Sequence, residues 1–170
     1  MATPRSALPR RGTMAPPADV KRRGDPQFPG FRLADSPLYL IVRTAGRYAR
    51  ELENALGTSG MDLASWRALM IVNEVSPSSV SEIAERSVTL LSTMTRVVQR
   101  LEKKGLVKLC KRRSDARVTE VHLTPPGKRC VERERATAGE IYRRAMRDIS
   151  PADIAVLNGL TRQIFANLAE

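Results

Sequence analysis

Histidine is almost missing from this chain. His122 is the only one in 170 residues, and that scarcity closes most of the usual routes to base catalysis and metal binding. A Ser/His/Asp site would have to use it, yet it alternates with Val121 and Leu123 in a strand pattern. No Gly-x-Ser-x-Gly elbow accompanies it, and no glycine-rich phosphate loop is present. Two cysteines without C-x-x-C spacing argue against a disulfide framework or a zinc site and fit a reducing compartment. No apolar run approaches the roughly 18 residues of a membrane-spanning helix, and the N-terminus lacks the apolar stretch of a secretory signal. The expectation is a cytoplasmic protein without catalysis, metal, cofactor or membrane.

Negative charge is also short. Lys and Arg number 29 against 18 for Asp and Glu, a net charge of +11 with a pI near 10.6. Such an excess favours nucleic acid or an anionic membrane as partner, the plain alternative being the solvation of an Arg-rich chain. Apolar residues make up 42%, enough for the core of one compact domain plus a tail. Residues 1–34 hold six of the 11 prolines, several arginines and no hydrophobic periodicity, and read as a disordered basic arm. That arm either adds phosphate attraction or is a dispensable extension, with Met14 as a second candidate start.

The ordered part should span 35–170. Ser36-Pro37 opens a helix in which Leu38, Ile41, Val42, Ala45, Ala49, Leu52 and Leu56 recur at three- and four-residue steps until Gly57. Asp62 caps a second helix with Trp66, Leu69, Met70 and Val75 inward. Ser79 opens a short third helix. Thr89 is placed to cap the fourth, where Met94, Val97, Val98 and Leu101 face inward before Gly105. Strands follow from Leu106–Val107 to about Lys111 and from Val118 to Leu123. Thr124-Pro125 starts a long fifth helix. Ser150-Pro151 starts a sixth, with Ile154, Leu157, Leu160, Ile164 and Leu168 as its stripe.

Residues 81–127 therefore read as two short helices, a glycine stop and a basic two-stranded ribbon, the signature of a winged helix-turn-helix spanning 62–123. On the fourth helix the outward positions are Ser92, Thr93, Thr95, Arg96, Gln99 and Arg100, all hydrogen-bond donors. Arg matches a guanine edge and Gln an adenine edge, while hydroxyls reach phosphates or bases. An ordinary solvated face would mix acids and bases at i, i+4, but here the first acid is Glu102, at the far end. The hairpin adds Lys111, Arg112, Arg113 and Arg117 with one acid, Asp115, placed to aim the Arg117 guanidinium into a minor groove.

Three motifs at matching distances carry a resemblance: Leu101-Glu102-Lys103-Lys104-Gly105-Leu106-Val107, Asp115-Ala116-Arg117 and Leu123-Thr124-Pro125-Pro126-Gly127. The chain resembles the MarR family of transcriptional regulators from about Ser36 to Leu168. The resemblance implies a mainly α fold with a small β-wing. It also implies a homodimer interlocked through the helices at 36–57 and 125–168, and a pseudo-palindromic operator in double-stranded DNA. Most such proteins are repressors, often relieved by aromatic or phenolic acids. Leu90-Leu91, just before the recognition helix, departs from the family's polar or small pair. Leu91 reads as core, and Leu90 as a thymine-methyl contact or as packing on the wing.

The apolar stripes of the first and last helices are too large for a small winged domain to cover, which points to mutual burial across a two-fold axis. An anionic aromatic effector is matched by arginines beside aromatics, Arg43, Arg47, Tyr48 and Arg50 on the first helix and Trp66 and Arg67 on the second, with Tyr39, Arg43, Arg47, Trp66 and Met70 as the candidate contacts. By resemblance, its cleft lies where the first and second helices meet the fifth. The alternative is a core tryptophan with solvated or ion-paired arginines. Two other readings stay open: redox control through Cys110, beside three cations that lower a thiol pKa, and architectural DNA binding without an effector.

Overall fold

The computed structural model describes residues 20–169. Chain contacts divide it into two units, Met1–Arg47 and Tyr48–Glu170, and the division falls inside one helix. In the first unit, residues 1–19 of the proposed arm lie outside the described residues. The remainder of the arm is more regular than its composition implied. It contains a single helical turn, α1 (Val20–Arg23), and a 3₁₀ turn at Leu33–Asp35. The Arg32 N–H donates to the Arg23 carbonyl at 3.1 Å, and Asp25 accepts from the Gln27 N–H at 2.9 Å. Short turns closed by local hydrogen bonds need no hydrophobic period, so the composition did not reveal them.

Helix α2 (Pro37–Gly57) crosses the division. Only Leu52 and Leu56 of its expected inward stripe are buried; Leu38, Val42 and Ala45 are exposed. The period is real, but among the described residues the amino-terminal part of the stripe is uncovered.

The second unit holds the core. Helix α3 (Leu63–Glu74) is capped by Asp62, whose carboxylate accepts the Ser65 N–H at 2.8 Å. Trp66, Ala68, Leu69 and Val72 are buried, Met70 is half-buried, and Val75 lies outside the helix, exposed rather than inward. Ser79 begins α4 (Val80–Arg86) with a reciprocal capping box, its hydroxyl accepting from the Glu82 N–H and the Glu82 carboxylate from the Ser79 N–H.

Helix α5 (Leu91–Lys103) buries Met94, Val97, Val98 and Leu101. Its N-cap is Leu90 and not Thr89; the Thr89 hydroxyl donates instead to the Ser87 carbonyl at 3.1 Å, inside the turn. Gly105, at φ 69°, lets the chain leave α5 in the left-handed conformation that other residues resist.

Three strands form one antiparallel sheet. A two-residue strand, β1 (Ser78–Ser79), pairs with β3 (Asp115–Leu123), which pairs in turn with β2 (Val107–Arg112). The first of these was not foreseen, because two serines carry no strand signal. The hairpin is also tighter than expected. Arg112 pairs directly with Asp115, leaving Arg113-Ser114 as the turn, and the register shifts between Lys111 and Arg112.

Thr124 then caps α6 (Pro125–Ala145), accepting from the Gly127 N–H at 3.1 Å and donating to the Gly105 carbonyl at 2.7 Å. Gly127 is obligatory here: a Cβ would sit 2.0 Å from the Leu106 carbonyl oxygen. Helix α7 (Pro151–Asn167) starts at Ser150, as its Ser-Pro signal indicated, but none of its residues is buried. Ile154 and Ile164 are half-buried, and Leu157, Leu160 and Leu168 are exposed. Among the described residues nothing buries its stripe.

Candidate nucleic-acid interface

Helix α5 packs its apolar side onto α3 and α4 and turns the opposite side outward because the two residue classes are segregated at helical period. Ser92, Thr93, Arg96 and Gln99 are exposed. Thr95 is half-buried, its hydroxyl donating to the Leu91 carbonyl at 2.8 Å, which leaves its lone pairs as its remaining capacity.

Arg100 differs from the other five outward residues. Its Nη2 donates to Asp62 Oδ2 at 2.9 Å and to Ser65 Oγ at 3.2 Å, tying α5 to the start of α3. Burial raises the Asp62 carboxyl pKa. The Ser65 hydrogen bonds and the Arg100 and Lys104 charges outweigh that and hold it below the usual carboxylate value. Sequence spacing put Arg100 on the outward face. What it missed is that a long side chain at the rim of a helix reaches a neighbouring carboxylate.

On the wing the four cations part company. Arg113 is exposed at the turn. Arg112 donates from Nε to Glu120 Oε1 at 2.7 Å across the ladder, and that hydrogen bond raises its pKa further. Lys111 reaches the Thr119 hydroxyl at 3.2 Å. Arg117 is held by Asp115 through two side-chain bonds, Nε to Oδ1 at 3.0 Å and Nη2 to Oδ2 at 3.3 Å, with the Arg117 N–H also donating to Oδ1 at 3.0 Å. The paired guanidinium and the backbone N–H lower the Asp115 pKa. Even so, the Arg117 side chain remains 90% exposed, so it is oriented without being buried. A groove of about 330 Å³ separates helix from wing, bordered by Leu91, Thr95 and Gln99 on one side and Arg117 and Thr119 on the other. Residues about 20 positions apart in sequence thus face one space.

The proposed effector residues fall in both units. In the first, Arg43 lies 6.0 Å from the Tyr39 ring centroid and donates to its hydroxyl at 3.4 Å; Arg47 ends that unit. In the second, Trp66 and Met70 border an open cleft of about 560 Å³ with Arg67, Ile71, Arg86, Ser87 and Val88. Arg86, which also lies 3.7 Å from Glu74, was not singled out from sequence; no spacing rule connects it to a tryptophan 20 residues earlier. Both cysteines are free thiols. Cys130 is buried, and burial raises its pKa against the thiolate; Cys110 is half-buried on β2 opposite Glu120. Among the described residues no helix is long and apolar enough to cross a membrane.

An acid-free helix face beside a cationic wing, joined by a short turn to a capped helix, defines a winged helix-turn-helix DNA-binding fold. Residues 61–119 match the MarR family. The chain is 35% identical over 144 residues to the HTH-type transcriptional repressor IacR of Pseudomonas putida, covering 85% of this chain and 86% of that protein. It therefore belongs to the MarR family of transcriptional regulators, which are not enzymes. A MarR-family regulator from Silicibacter pomeroyi superposes with a TM-score of 0.74 at 24% identity, over 80% of this chain and 92% of that one. Bordetella bronchiseptica BpsR, whose DNA binding is regulated by 6-hydroxynicotinic acid, gives 0.69 at 20% identity over 79% and 96%.

Proposed function

We propose that the chain is a homodimeric, cytoplasmic repressor of a neighbouring operon, binding a pseudo-palindromic operator and released by a small anionic aromatic molecule. The observation that carries the DNA-reading part is the exposed, carboxylate-free half of α5, with Arg96 and Gln99 outward and Gln99 bordering the same groove as a pre-aimed Arg117. In this reading Ser92, Thr93, Thr95, Arg96 and Gln99 meet the major groove, Arg113 and Arg117 meet phosphate and minor groove, and Asp115 aims Arg117. Arg100 and Arg112, engaged with Asp62 and Glu120, hold the helix and wing in place.

Dimerisation is supported by the uncovered apolar residues of α2 and α7, since each buried Leu or Ile contributes roughly 1.5–3 kcal/mol. Two recognition helices on one DNA face then lie about one turn, roughly 34 Å, apart. The effector reading is supported by the Trp66–Met70 cleft with its two arginines, by the Tyr39–Arg43 pair beside Arg47, and by the regulation of BpsR by an aromatic acid.

Linkage tests the switch. A coupling of about 1–3 kcal/mol weakens operator binding about 5- to 150-fold, and the operator must weaken effector binding by the same factor. Salicylate and 6-hydroxynicotinate titrated into free protein and into the protein–operator complex measure both directions. Equal affinity in the two titrations rules out release by these acids, and indifference to operator mutation leaves an architectural DNA binder.

A further inference from the structure

We infer that Leu90 and Leu91 read thymine C5-methyl groups, so that this chain's operator is specified partly by apolar contact at the leading end of α5. The inference rests on the DNA-reading function proposed above and extends it to a chemical group on the base.

Two departures from ordinary helix chemistry coincide here. Leu90 occupies the N-cap of α5, with extended backbone (φ −61°, ψ 139°) and no side-chain hydrogen bond to the first turn. Ser, Thr, Asp or Asn at that position would satisfy a free N–H, and leucine forgoes that stabilisation. Leu90 is also 74% exposed and Leu91 52% exposed, so neither leucine recovers much by burial. Leu91 is therefore not core: it borders the helix–wing groove with Gln99 and Arg117, whereas Leu90 is the more exposed of the two and does not line that groove. Local rules broken twice at one helical end, with no compensation among the described residues, mark a site whose partner is elsewhere.

The surroundings select that partner. The next exposed side chains on α5 are Ser92, Thr93 and Arg96, and no carboxylate occurs on the helix before Glu102. A cationic, donor-rich frame around two leucines is complementary to a polyanion rather than to the apolar face of another protein. The stripes suited to a second copy lie on other elements, α2 and α7. Within the major groove the thymine methyl is the apolar group presented by a base pair. Leucines continuous with the reading face reach that level whenever Arg96 and Gln99 do.

The test removes the methyl and leaves the protein intact. Full-length protein selects its preferred duplex from a randomised pool, and each thymine of the half-site is then replaced singly by deoxyuridine. Losing one buried methyl should weaken binding about three- to fivefold at one or two thymines per half-site. The same replacements should be neutral for Leu90→Ala at one position and for Leu91→Ala at the other. Circular dichroism and thermal melting should be the same for all three proteins, which reports that the exposed leucines are not needed for folding. Deoxyuridine tolerated at every half-site thymine, while base-pair changes there remain costly, overturns the inference and leaves the DNA-reading function standing. So does a deoxyuridine loss that persists undiminished in both variants. A selection that returns no preferred sequence overturns the function itself, and the inference with it.

Discussion

On the surface proposed to meet phosphate a carboxylate is repulsive, so Asp115 earns its place there only through the guanidinium it holds. Its two side-chain bonds to Arg117 restrict a side chain that is otherwise 90% exposed, which lowers the entropy lost when Arg117 enters a groove. Asp115→Ala should therefore weaken operator binding although it makes the wing more positive; simple electrostatics predicts the reverse. Fluorescence anisotropy at several salt concentrations separates the two, and tighter binding would show that the pairing does not matter. Arg117→Ala should weaken binding and reduce the salt slope by about one ion. Two backbone positions give a second residue-level prediction. Gly127→Ala places a methyl 2.0 Å from the Leu106 carbonyl oxygen and should destabilise the fold by roughly 1–3 kcal/mol. Val88, a β-branched residue at φ 51° and 80% exposed, sits where asparagine is more at ease, so Val88→Asn should raise stability by about 1 kcal/mol. Urea denaturation reads both signs.

At the scale of the element, the proposed reading gives α5 two jobs that its arginines divide. Arg96→Ala should cost about 1–3 kcal/mol on operator DNA and relax preference at one or two positions, with little change on random duplex. Equal losses on both would assign Arg96 to phosphate. Arg100→Ala should leave base preference unchanged and act on stability by less than about 1 kcal/mol, because its partner Asp62 is partly exposed. The pH dependence of that tie follows from its sign. Asp62 is held below its ordinary pKa in the folded state, so its contribution is fully present above the unfolded value of 3.8 and is lost as pH falls through the lowered one. Acid titration of wild type and Asp62→Asn should therefore converge only below about pH 4.

For the whole molecule the decisive feature is apolar surface without cover. Leu157, Leu160 and Phe165 on α7, with Leu168 at its C-cap, are between 47% and 73% exposed, and Leu38 and Val42 on α2 are at 52% and 70%. These helices leave apolar residues exposed among the described residues, which is the arrangement the proposed dimer requires. Leu160→Glu should shift the protein toward monomer in sedimentation velocity and weaken operator binding through loss of the second half-site. Helical content should change little, since the position is 55% exposed within the chain. A Leu160→Glu protein that stays dimeric would move the interface away from α7.

Several features were decided by the sequence alone, because each depends on neighbours within a turn or two. The helices follow from apolar residues at three- and four-residue steps, and the starts at Asp62, Ser79, Thr124 and Ser150 follow from side chains that reach their own first turn. The acid-free face of α5 is likewise a matter of period. The Asp115–Arg117 pair was legible at two residues' separation, and Gly105 and Gly127 were visible as motif positions before their φ angle and close approach explained them. Tertiary structure decided what distant residues do to each other. It tied Arg100 to Asp62 and Arg112 to Glu120, added Ser78–Ser79 to the sheet, and set Arg86 beside the Trp66 cleft. It also left Leu91 and most of two helical stripes uncovered. Period tells which residues form a face; only packing tells whether the chain covers that face or leaves it for a partner.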